Sequence, residues 1–169
     1  MNKKTNKLVK SGIFLALGLI VPYTFHMVGF AGQVFLPMHI PVLLCGLLLG
    51  AQYGFTVGLM TPLLSSLLTG MPPIYPVGVS MTFELAAYGM ISGVIYKKTR
   101  LNIYISLILA MLAGRLVSGT VNYILLSGTE NPYVLKMFLT SAFIKPVWGI
   151  IIQVVLIPII VKLSEKSQR

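Results

Sequence analysis

Residues 35–84 read FLPMHIPVLLCGLLLGAQYGFTVGLMTPLLSSLLTGMPPIYPVGVSMTFE, and this stretch decides the fold class. Two apolar runs are separated by AQYG at residues 51–54 and are closed by GMPPIYP at residues 70–76. The stretch ends at Glu84, one of only three acidic residues in the chain. We interpret it as a membrane hairpin that leads into a binding pocket, since runs this apolar are typical of membrane-embedded helices.

The composition of the whole chain agrees with a membrane protein. Hydrophobic residues make up 56% of the 169 residues and charged residues only 9%, whereas soluble domains carry about 25% charged residues. We therefore predict one integral membrane domain over residues 1–169. The net charge of +10 lies at the ends of apolar runs, which favours contact with an anionic cytoplasmic membrane surface over nucleic acid.

The apolar runs predict an all-α bundle of six transmembrane helices, at about residues 8–25, 37–50, 54–69, 77–96, 101–126 and 135–163. The alternative is a single helix over 38–69, which would be about 48 Å long and would leave five spans. Six spans place ten of the 13 basic residues on one side. The positive-inside rule therefore favours six spans with both termini in the cytoplasm.

Small residues recur at four-residue spacing in two places, a pattern that lets membrane helices approach closely. Gly46, Gly50, Gly54 and Gly58 form the longer series, which we interpret as internal packing. Gly12 and Ala16 form the shorter one in the first helix. For this pair we favour a docking face for another membrane protein.

Three ionisable residues, Glu84, Arg115 and Lys145, fall inside apolar runs. Charges within the bilayer are costly and normally face the bundle interior or a wet cavity. With six spans all three lie roughly 10–17 Å below the outer surface, so we predict an outward-facing substrate pocket. Further residues expected to line it are Asn122, Tyr123, Trp148, His39 and Tyr75.

The charges of this pocket leave several arrangements open. Glu84 could neutralise Arg115 or Lys145, or it could hold a cationic or hydrogen-bond-donating ring. In either ion pair one cation remains, and that surplus would suit a substrate carboxylate or phosphate. A purely structural ion pair that binds nothing is the remaining possibility.

The motifs of catalysis are absent from the sequence. The chain has no nucleotide-binding loop, no HExxH, no CxxC and no aspartate, and its single cysteine, Cys45, can form no internal disulfide. We therefore expect neither an enzyme nor a cofactor or metal site.

The segments PVLLCGLLLGAQYGFTVGLMTPLLSSLLTGMPP and ELAAYGMISGVIYKK, with the six predicted spans and the Gly12–Ala16 face, resemble the substrate-binding S components of energy-coupling factor (ECF) transporters. The similarity covers nearly the whole chain. The family's usual pattern in the first helix is alanines spaced by four, and Gly12 departs from it while keeping a small residue.

The resemblance implies a multi-pass protein of the bacterial plasma membrane that binds a vitamin from outside. It implies docking through the first helix to a membrane coupling subunit that carries two ATPase subunits. The cationic surplus makes pantothenate the first expected substrate, followed by pyridoxine-type vitamins and hydroxymethylpyrimidine. The alternatives are a small proton-coupled secondary transporter that uses Glu84, and a structural membrane subunit.

Overall fold

The computed structural model describes residues 2–26, 34–99, 101–128 and 135–166. Within these ranges the chain is helical and has no β-strand, so the predicted all-α class is confirmed. The described α-helices are α1 (Lys3–His26), α2 (His39–Leu49), α3 (Ala51–Thr69), α4 (Val79–Lys98), α5 (Ile103–Leu126), α6 (Leu135–Leu139) and α7 (Val147–Lys166). A π-helical turn, Ile74–Gly78, leads into α4, and a second, Thr140–Ile144, continues α6.

Within the described residues, four helical segments are long and apolar enough to cross a bilayer. They are Lys3–Phe25, Ile74–Lys98, Ile103–Leu126 and Val147–Lys166. Each has at least 20 residues, which matches the length that the hydrocarbon core requires. The chain is therefore a multi-pass membrane protein, while the total of six spans and the cytoplasmic termini stay predictions. Residues 27–33, in the connection between the first two predicted helices, lie outside the described residues.

The break between the second and third helices lies at Gly50, not at residues 51–54 as predicted. Gly50 has φ 109° and ψ 171°, a conformation that glycine adopts far more easily than residues with a Cβ. The AQYG segment is instead the first turn of α3, which begins at Ala51. The single helix over 38–69 is excluded by this break.

The predicted helix over 135–163 is also interrupted. α6 and its π-helical turn end at Ile144, and α7 begins at Val147, so Lys145 and Pro146 separate them. Proline has no backbone N–H and its ring clashes with the preceding turn, which explains an interruption at this point.

Close packing among α2, α3 and α4 is made possible by glycines. A Cβ added to Gly54 would lie 2.4 Å from the carbonyl oxygen of Gly89, and one added to Gly58 would lie 2.3 Å from that of Leu85. A Cβ added to Gly46 would lie 2.3 Å from the same Gly89 carbonyl oxygen. The interpretation as internal packing residues is confirmed for Gly46, Gly54 and Gly58, whose contacts hold α4 tightly against α2 and α3. Gly50 is instead the break between α2 and α3.

α1 presents two different sides. Ser11, Gly18 and Pro22 are buried against the bundle, and a Cβ on Gly18 would come within 2.7 Å of Thr61. Gly12 and Ala16 are exposed, and nothing lies within 4 Å of a Cβ built on Gly12. The face that the sequence assigns to docking is therefore a free surface of the described chain.

We predict that Gly89→Ala destabilises the protein by about 1–3 kcal/mol, because the new methyl would meet the Gly54 backbone at 2.1 Å and force the helices apart. The matched control is Gly12→Ala, whose methyl enters open space. Thermal unfolding of both variants in detergent tests this. Equal midpoints for the two variants would show that the α3–α4 contact is not tight.

Candidate functional site

A cavity of about 530 Å³ lies between α1, the start of α2, α4, α5 and α6. Its size falls in the range of small-molecule sites. Much of its lining is apolar, with prolines and methionines from the segments around residues 36–38 and 71–77. The polar lining residues are His39, Ser80, Glu84, Arg115, Ser118, Asn122, Ser141 and Lys145.

An ion pair between Glu84 of α4 and Arg115 of α5 forms one wall of the cavity. Arg115 Nη1 lies 2.9 Å from Glu84 Oε1, and the two residues are only 6% and 5% exposed. The sequence left open whether Glu84 pairs with Arg115 or with Lys145, and the structure pairs it with Arg115. Because both groups are buried, each needs the other for its charge to be compensated.

His39 joins this ion pair from α2. Its Nε2 atom lies 3.6 Å from Glu84 Oε1, and the residue is 2% exposed. His39 is the first residue of α2, and its backbone N–H donates to the carbonyl oxygen of Leu36 at 3.1 Å. In the sequence His39 lies at the border of a loop, whereas the fold buries it at the centre of the bundle.

The segment before His39 is held by α7. The fully buried amide of Gln153 donates from Nε2 to the Leu36 carbonyl at 3.5 Å. Leu36 itself has φ 50°, an unusual conformation for a branched residue that neighbouring contacts must maintain. Gly149 lets the same segment approach, because a Cβ there would be 2.7 Å from the Val34 carbonyl oxygen. Sequence reasoning missed Gln153, although a lone amide in an apolar helix is a usable signal.

Tyr88 supports the three polar residues from behind. It is fully buried, one helical turn after Glu84. The centroid of its ring lies 5.3 Å from the centroid of the His39 ring and 6.0 Å from the guanidinium carbon of Arg115. A Cβ on Gly114 would be 2.0 Å from the Tyr88 ring, so only glycine leaves room for it. Sequence reasoning missed Tyr88, and its spacing of four from Glu84 was the available signal.

Lys145 and Asn122 also line the cavity, in different surroundings. Lys145 is exposed, and within the described ranges no carboxylate lies close enough to form a salt bridge with it. Asn122 is half-buried and donates from Nδ2 to the backbone carbonyl of Ser118 at 2.9 Å. Its position one turn above Ser118 keeps the amide on the cavity side of α5.

Three predicted site residues do not line the cavity. Tyr123 and Trp148 are 63% and 61% exposed. Tyr123 follows Asn122 by one residue, about 100° around the helix, so it points away when Asn122 faces the cavity. Tyr75 is 58% exposed, and its hydroxyl donates to the Leu125 carbonyl at 2.8 Å. Tyr75 therefore joins the loop before α4 to the end of α5.

The proline-rich segment after α3 is fixed by two serines that the sequence did not single out. Ser65 Oγ donates to the Met71 carbonyl at 2.7 Å, and Ser66 Oγ donates to the Pro72 carbonyl at 2.6 Å. Met71 and Pro72 line the cavity. The end of α3 thus positions this part of the wall.

The described residues include no group of three or more His, Cys, Asp or Glu side chains suited to a metal ion. Among the described residues, the polar groups that do converge are one compensated ion pair, one imidazole, one amide, several hydroxyls and one ammonium group without a carboxylate partner. This set can hold a polar organic molecule through hydrogen bonds and one charge contact.

Comparison with known protein families gives a match over most of the chain. The family model described as ECF transporter, substrate-specific component, matches residues 6–161. No curated protein and no solved structure matches the chain.

We predict that breaking the buried ion pair from one side is worse than removing it entirely. Arg115→Met should cost about 3–5 kcal/mol of unfolding free energy, because Glu84 is left buried and unpaired. The double variant Glu84→Gln/Arg115→Met should lose less than Arg115→Met alone, because no buried charge is left unpaired. Unfolding in mixed micelles measures this coupling, and additive losses would mean that the two side chains do not interact.

Proposed function

The chain belongs to the family of ECF transporter substrate-specific components, and we propose that it captures a water-soluble vitamin or vitamin precursor from outside a bacterial cell with high affinity for uptake. Membership of this family implies a small-molecule substrate and association with the subunits of an ECF module. The observation that best supports a binding role is the cavity of about 530 Å³ with its convergent polar groups.

The charges around the cavity favour an anionic substrate. Glu84 and Arg115 compensate each other, and Lys145 adds one positive charge to the described lining. An ammonium group beside a cavity attracts a carboxylate through a charge-assisted hydrogen bond. Pantothenate is therefore our first candidate, ahead of pyridoxine-type vitamins and hydroxymethylpyrimidine, which have no carboxylate.

Energy for transport would come from partners. We propose that a membrane coupling subunit with two ATPase subunits docks on the Gly12–Ala16 face of α1. That face is exposed and free of bulky side chains at Gly12, and small residues allow a partner helix to approach closely. The protein would act as a binding subunit without an enzymatic activity of its own.

The geometry argues against the two rival functions. A proton-coupled transporter would need Glu84 to gain and lose a proton during transport, but Glu84 is only 5% exposed and is held 2.9 Å from Arg115 Nη1. A purely structural subunit would not require a cavity of this size, with a lysine at its wall that has no carboxylate partner among the described residues.

The direct test is thermal unfolding of the purified protein with a panel of vitamins and precursors. A ligand that binds only the folded state raises the unfolding midpoint. We expect a concentration-dependent rise with at least one compound. A flat response across the panel would contradict a role in binding vitamins.

We predict that Lys145→Ala weakens binding of the substrate at least tenfold, or about 1.4 kcal/mol, because it removes the unpaired charge from the cavity wall. Lys136→Ala is the matched control, since Lys136 is an exposed lysine on α6 that does not line the cavity. Equilibrium binding measures both. Equal affinities in the two variants would remove Lys145 from the site.

We also predict that Gly12→Leu and Ala16→Leu each abolish uptake in cells but leave binding to the purified protein unchanged. The larger side chains would keep a partner helix away without reaching the cavity. Thr56→Leu, a similar enlargement on the exposed side of α3, serves as the control. Normal uptake in both α1 variants would show that docking uses another face.

A further inference from the structure

The polar groups of the cavity fall into two sets that differ in burial and in charge. His39, Glu84 and Arg115 form a buried cluster, in which no residue is more than 6% exposed. Lys145 is exposed and stands on a different wall, at the junction of α6 and α7. A ligand that fills the cavity therefore meets two chemically distinct environments.

The buried cluster has no net charge to offer. With His39 neutral, the Glu84 carboxylate and the Arg115 guanidinium cancel each other at 2.9 Å. An additional anion here would face Glu84, and an additional cation would face Arg115, in a region where water cannot screen either charge. The buried cluster therefore favours a ligand group that carries no charge.

The buried cluster does have unused hydrogen-bonding capacity. Arg115 Nη2 and His39 Nδ1 are buried atoms that find no hydrogen-bond partner among the described residues. Both side chains line the cavity. Buried polar atoms are costly when unpaired, so a ligand gains affinity by presenting an acceptor to Arg115 and an acceptor or donor to His39.

Lys145 provides the opposite conditions. Its ammonium group is unpaired within the described ranges, and the residue is exposed and not enclosed by other side chains. A carboxylate here gains a charge partner through a charge-assisted hydrogen bond.

Building on the proposed function, we infer that the substrate is a monoanion with two unlike ends. A neutral hydroxyl or amide group binds Arg115 and His39 in the buried cluster, and a single carboxylate binds Lys145. The Glu84–Arg115 ion pair acts as a specificity element, because it lets Arg115 donate hydrogen bonds while it rejects a second charge. Dianions and cations are excluded by the same arrangement.

Matched acid and neutral probes test the carboxylate end. The pairs are pantothenate with panthenol, biotin with biotinamide, and nicotinate with nicotinamide, each measured by thermal shift and equilibrium binding. In whichever of these pairs binds to the protein, we expect the acid to bind at least tenfold more tightly than the neutral compound. Lys145→Ala should bring the two affinities together, and Lys136→Ala should not.

A second charge at the other end of the ligand tests the buried cluster. For the acid that binds, the probe is the same acid carrying a phosphate or carboxylate at its neutral end, such as 4′-phosphopantothenate. We expect at least tenfold weaker binding of this compound, which is charged at both ends, to the natural protein. In Glu84→Gln this loss of affinity should be smaller, because Arg115 is no longer neutralised. If Glu84→Gln does not fold, the affinities of the two compounds for the natural protein decide the test.

The outcomes separate this inference from the proposed function. Tight binding of a neutral compound, a cation such as thiamine, or a dianion such as folate would overturn the inference while leaving the binding role intact. Binding of a monoacid that is insensitive to Lys145→Ala would also overturn it. No binding by any compound would contradict the proposed function, and the inference with it.

Discussion

The buried ion pair between Glu84 and Arg115 is the interaction on which the rest of the site depends. Each partner lies inside an apolar helix, where an isolated charge is strongly unfavourable, and their separation of 2.9 Å compensates both. The pair therefore ties α4 to α5 at one depth. His39 and Tyr88 then pack around it, so that one compensated charge organises residues from three helices.

The helices reach this arrangement because their backbones can approach closely. Gly54 and Gly58 of α3 and Gly46 of α2 contact the α4 backbone on the side near Leu85 and Gly89, just beyond Glu84. On the opposite side of His39, Gln153 of α7 binds the Leu36 carbonyl. The site is thus assembled by packing and hydrogen bonds that lie outside the cavity, which is how a rigid binding site is held in place.

The sequence predicts the parts of the site that follow from single residues. Glu84, Arg115 and Lys145 were found because charges in apolar runs are rare, and all three line one cavity. It does not predict which residues face one another, because this depends on how each helix is rotated about its axis and on where each helix ends. Tyr123 and Trp148 were chosen by proximity along the chain and lie outside the lining. The exact break at Gly50 depends on one backbone conformation, and the role of Tyr88 depends on the space left by Gly114.

We propose that this family member binds its substrate between the Glu84–Arg115 ion pair and Lys145. A high-resolution structure of the protein with the compound that most stabilises it is the most direct test. We expect ligand density in the cavity, with a neutral polar group next to Arg115 and His39 and a carboxylate next to Lys145. Ligand bound elsewhere, or bound with Glu84 and Arg115 separated, would contradict it.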